Sequence, residues 1–302
     1  MNSDCKDSLR LIGQQLDWLI FPRVKNGGIV VPSEPAIHFQ PLGKEKNYES
    51  KRERRSTTEP WARADRWQRA ASEFRASGGS RTASNTTSFL GSIGRHVYKA
   101  EELTAVCKAY PGTRIWEQGE NFWLHVESSL LPGLQHKASF LVLISVTHQT
   151  VRSWGFWDSC AVGVTWIGPR HTNFPDGSIC AFEPKDGTWQ FGDSLVKLLD
   201  IYSAWALRHL HCEIFGRWPG PQSVALPFER MMELRDDELC GCGHLQKRYA
   251  DCCKPTDMKR NRIAEAVLFG IFSAWSVRCP PVPIIEFMLL RSYPPAVSDI
   301  FR

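Results

Sequence analysis

Three short apolar runs, at residues 122–127, 139–147 and 161–167, are parted by glycine- and proline-containing turns and followed by a long helical pattern. This order restricts the fold more than any other feature of the chain. Such runs form strands, and short turns join strands antiparallel. Before them, residues 101–109 carry a short helical pattern. After them, Leu195, Leu198, Leu199, Tyr202 and Ala206 recur at helical spacing, and Asp193 is placed to cap that helix. Helix, antiparallel meander, loop and helix in this order predict an α+β domain.

At 302 residues the chain is long for one compact domain, and 42% hydrophobic residues can bury a sizeable core. Residues 96–232 hold the pattern above. Residues 1–95 read as a basic, largely flexible leader, charge-rich over 44–55 and small and polar over 78–88. Within it, Thr58 and Pro60 open a candidate helix with Trp61, Ala64, Trp67, Ala71 and Phe74 on one face and Arg63, Arg66, Arg69 and Arg75 mostly away from it. That helix either lies on the main domain by its thin apolar stripe or docks an acidic partner. Residues 236–256 form a cysteine-rich module. Residues 257–302 form a helical tail, where Ile263, Val267, Leu268, Ile271 and Trp275 precede the break at Pro280 and Pro281.

The net charge of +5 is mild and sits partly in the leader, so nucleic acid is not expected as a partner. Binding through the leader would instead show a steep loss of affinity with salt. The longest apolar runs, such as 140–146, are too short to cross a bilayer, and no membrane partner is expected. The N-terminus lacks a secretory pattern, and four of ten cysteines cluster in one segment. Both features predict a reducing, cytoplasmic setting with thiols kept for metal and chemistry.

The segment His171-Thr172-Asn173-Phe174-Pro175-Asp176-Gly177-Ser178-Ile179-Cys180 carries the most chemistry. A cysteine takes an acyl group from another thioester at little cost in free energy, and hands it to an amine faster than a serine ester would. The Asp176-Gly177 turn aims the chain back toward Cys180. Asn173 offers an amide to an oxyanion or to the loop itself, and His171 can brace backbone groups. A cysteine hydrolase with His171 as base is the competing reading, although nothing marks a third, orienting residue.

Together with Trp189 and the helix from Leu195, this segment resembles the ubiquitin-conjugating (E2) family. The family has a His-Pro-Asn tripeptide, a loop with glycine, Ile/Val-Cys, a tryptophan and a helix. The resemblance is strongest over residues 154–222 and extends loosely over 96–232. Residues 215–220, with Trp218 and Pro219, look similar to an element of bacterial E2-like proteins. It implies an E2-like fold, with Cys180 as thioester nucleophile, Asn173 as oxyanion or loop-holding amide, His171 as structural, and Asp186 as a candidate for orienting the amine. The implied partners are an E1-like activating enzyme, a ubiquitin-like protein and a protein target. Thr172 stands where the family has proline, so other contacts must hold the loop. An E2 fold retained only for binding is the alternative.

Cys240-Gly241-Cys242 and Cys252-Cys253 have the spacing of a four-thiolate zinc site. With Lys247, Arg248 and Tyr249 between them, they resemble the SEC-C module of the bacterial protein-secretion motor ATPase. That resemblance implies structural zinc and a docking role. His244 is an alternative ligand, and a redox or disulfide cluster the competing reading. Cys5, Cys107, Cys160, Cys212 and Cys279 read as structural or incidental.

Overall fold

The computed structural model describes residues 98 and 100–301, apart from 129–136, 160–162, 183–186 and 244–246, together with 6, 7, 9, 10, 13, 23–25 and 28–30. The chain divides into one unit of residues 1–34 with 92–302 and a second of 35–91. The second unit lies outside the described residues, and with it the candidate helix over 58–75. Asp186 and His244 lie outside them too.

The described part is α+β. Its centre is one antiparallel sheet of β3 (Arg114–Gln118), β4 (Asn121–Glu127), β5 (Ala138–Ser145), β6 (Thr150–Ser159) and β7 (Gly163–Trp166), paired in chain order. A two-stranded ribbon, β1 (Arg23–Lys25) with β2 (Gly28–Val30), precedes it. Trp123 pairs with Leu143, and Phe140 with Gly155. On one face Phe122, Leu124, Phe140, Val142 and Ile144 pack with residues of α1 (Ala100–Ala109) and α2 (Leu195–Phe215), among them Leu103, Leu198 and Trp205. On the other, Trp123, Leu141, Trp154 and Phe156 pack with Ile284, Phe287 and Met288 of α6 (Val282–Leu290).

Both faces are covered, which is why β5 is buried at every position and reads as a continuous apolar run. β6 lacks that signature, because Arg152 and Gly155 interrupt it. Gly155 is set by packing: a Cβ there would lie 2.7 Å from the Trp205 ring.

Helix α2 starts differently from its expected cap. Ser194 is the N-cap and makes no side-chain cap bond of its own. The Glu102 carboxylate, from α1, accepts from Leu195 N at 2.6 Å and from Ser194 Oγ at 2.8 Å. Asp193 instead accepts from Gln190 N at 3.0 Å. A carboxylate at a helix N-terminus meets both the orphan donors and the dipole, whichever element supplies it. Leu9, inside the span read as a leader, is fully buried against Leu207 and Leu210 of α2.

The remaining helices are α3 (Pro227–Glu233), α4 (Lys254–Asp257), α5 (Arg262–Phe272) and α7 (Val297–Ile300). Among the described residues no helix is long and apolar enough to cross a membrane.

Candidate functional site: a thiol hairpin joined to a cysteine tetrad

Residues 171–180 fold into a small hairpin. Thr172 bridges Ile179, Asn173 N donates to Ser178 O at 2.7 Å, and Cys180 N donates to His171 O at 3.0 Å. Asp176 and Gly177 make the turn: Asp176 Oδ1 accepts from Ser178 N at 3.1 Å, and Gly177 has φ +62°. A side chain at Gly177 would be strained by that φ, and its Cβ would come within 2.8 Å of the Cys279 backbone.

The turn is fastened to the sheet. Asp176 is ion-paired with Arg152, and its carbonyl accepts from Trp154 Nε1 at 2.8 Å. The Thr172 hydroxyl donates to Pro169 O at 2.5 Å. Asn173 Nδ2 donates to Ile179 O at 3.1 Å and to Ser178 Oγ at 3.2 Å. Both amide hydrogens therefore brace the strand that leads into Cys180.

Cys180 is half-buried. It lies on the wall of a 1640 Å³ cavity shared with Phe182, Lys197, Trp205, Arg208 and Cys242. Lys108, Lys197, Arg208 and Arg230 give that cavity a cationic lining, against the acid Asp200 among the described residues. Burial pulls Arg208 down to about 10, which still leaves it charged at neutral pH.

His171 sits beneath the hairpin with its ring 4.0 Å from Trp218, and its Nε2 meets Gln222 Oε1 at 3.2 Å. An amide oxygen only accepts, so this contact assigns the proton to Nε2. Burial first, then the Arg170 charge, hold the imidazole well below its ordinary pKa. A histidine so disfavoured as a cation is a poor general base and a sound structural brace.

His209 extends the stack, 4.3 Å from Trp205 and 5.0 Å from Trp218. It is pushed down to about 3, as is His125 on β4, each chiefly by burial. Their folded-state pKa lies below the unfolded value, so the unfolded chain binds protons that the fold refuses. That stability is fully present above pH ~6.5 and is lost as pH falls toward ~3. His209→Phe should lower the slope of unfolding free energy against pH by about 1.4 kcal/mol per pH unit between pH ~6 and ~4. Urea titrations at three pH values would check this, and parallel curves would refute it.

The second cysteine group also comes together. The sulfurs of Cys240, Cys242, Cys252 and Cys253 all lie within 4.8 Å of one another, a donor set able to hold a metal ion. Cys242 Sγ is 3.5 Å from Cys252 Sγ, which is 4.0 Å from Cys253 Sγ. A tetrahedral ion with 2.3 Å metal–sulfur bonds requires edges of about 3.8 Å. Burial and thiol–thiol hydrogen bonds push Cys252 up to about 11 and raise Cys253 further, so metal uptake here releases protons.

The backbone around the tetrad is tied by Cys240 N to Lys247 O at 2.7 Å and Val224 N to Gly241 O at 2.8 Å. Below it, Arg230 and Asp257 form a buried two-bond ion pair at 2.8 Å.

Sequence reasoning missed what joins the two parts. Glu238, two residues before the tetrad, is completely buried and ion-paired with Arg170, the residue before His171. Glu238 Oε1 accepts from Arg170 Nη1 at 2.9 Å and from Trp218 N at 2.7 Å. Gln222 accepts from Arg170 Nη2 at 2.8 Å and donates to Leu239 O at 2.9 Å. Burial works against the Arg170 charge, yet its bonds to Glu238 raise its pKa overall. Comparison of the chain with protein-family models, with curated proteins and with solved structures gives no match.

Proposed function

We propose that this chain is an E2-type carrier that holds a ubiquitin-like protein as a thioester on Cys180. The observation that supports this most is the setting of Cys180. It is a half-buried thiol at the end of a braced hairpin, on the wall of a 1640 Å³ cavity, after a meander and before a long helix. In the first step the Cys180 thiolate attacks the thioester carbonyl on an E1-like enzyme, and that enzyme's thiol leaves. In the second, an amine of a protein target attacks the Cys180 thioester. An amide forms, the Cys180 thiolate leaves, and the amine's proton passes to solvent. His171 and Asn173 act by holding the hairpin.

The tetrad is proposed to bind zinc, since four tetrahedral thiolates suit it and leave no open position for chemistry. Lys247, Arg248 and Lys254 would make the module a cationic docking knob in a cytoplasmic protein. The commitment of both Asn173 amide hydrogens to the hairpin favours a second reading, an E2-like fold used for binding alone.

Intact mass spectrometry of the full chain from its own cells separates the two. The wild type should carry a small-protein adduct released by dithiothreitol. Cys180→Ser should carry one that resists dithiothreitol and is released by alkali. No adduct on either protein leaves the binding role.

A further inference from the structure

Helix α5 turns an unusually apolar face to solvent. Ile263, Val267, Leu268, Ile271 and Phe272 are exposed along it, and Trp275 (70%) and Val277 (75%) continue the surface beyond its end. Ala274 and Trp275 both have left-handed backbone, φ +50° and +53°. Bulky residues rarely adopt that conformation, and it holds the Trp275 ring in the same surface. The seven side chains expose on the order of 900 Å², against roughly 300–600 Å² for the largest apolar patch of an ordinary monomer and about 800 Å² per partner in a stable interface.

We propose that this face pairs with a second copy of the chain, α5 against α5, antiparallel about a two-fold axis. The charges set the direction of that pair. Lys259 and Arg262 are exposed at the helix N-terminus, where cations oppose the dipole, while Arg260 between them is ion-paired with Glu265. Antiparallel pairing lays them against the partner helix's C-terminus, where cations are favoured. A parallel pair would set them against each other. An isologous contact also accounts for one continuous patch that complements itself.

Sedimentation equilibrium on the full chain should give twice 34.3 kDa at micromolar concentration. Leu268→Glu with Ile271→Glu should weaken the dimer at least 100-fold. Since both side chains are exposed, the variant should keep the wild-type circular dichroism. A photo-crosslinking residue at position 268 should join α5 to α5 of another copy. A monomer at every concentration, a dimer indifferent to the two glutamates, or crosslinks only to residues 58–75 of the same chain would each overturn the proposal.

Discussion

Stripping the metal that the tetrad is proposed to hold, by chelation or by Cys252→Ser with Cys253→Ser, is expected to unfold residues 236–257 and loosen the thiol hairpin. Structural thiolate sites contribute on the order of 10–16 kcal/mol of folding free energy, and so short a segment has little core of its own. Its own buried apolar residues are Cys240 and Tyr249, which pack against Val224 and Leu234 from before it. Once the segment opens, Glu238 leaves Arg170, and the bond from Gln222 to Leu239 O goes with it. Amides of Cys240 and Tyr249 should lose hydrogen-exchange protection, and Cys180 should be alkylated faster. Unchanged protection in a protein shown to be metal-free would mean that the ion contributes nothing to the fold.

The second large effect needs no metal. Glu238→Gln should cost about 3–5 kcal/mol, because it strands a buried guanidinium without its countercharge. Arg170 is 13% exposed and Glu238 not at all, so water cannot make good the loss. Replacing both by methionine should recover most of the stability, since the pair then disappears together with its desolvation cost. Chemical denaturation of the three variants tests this. A loss under about 1 kcal/mol, or a double variant no better than Glu238→Gln, would show the pair to be incidental.

What could be read in advance was local. Strands β4 and β5 are built on the apolar runs 122–124 and 140–144, and α2 carries a helical stripe, so each announces itself within a short window. The tetrad was legible for the same reason: two cysteine pairs lie within fourteen residues, and the chain between them has little freedom to separate them. β6 was not legible, because Arg152 is there to meet Asp176 and Gly155 to admit Trp205, partners that a window over 150–159 does not contain. The cap of α2 came from Glu102, far away in sequence, in place of the adjacent Asp193. Arg170 and Glu238 are 68 residues apart. Each alone looks like one more surface charge, and only the fold turns them into a buried pair.

The two-sided sheet has a consequence for how such a protein can change over generations. Trp123, Leu141, Trp154 and Phe156 face α6, which comes from the last part of the chain. A lineage that shed its C-terminal stretch would hand those rings to water, and one that swapped the stretch for another would have to refit both surfaces at once. The sheet and the helix that covers its second face are therefore expected to be inherited as one block.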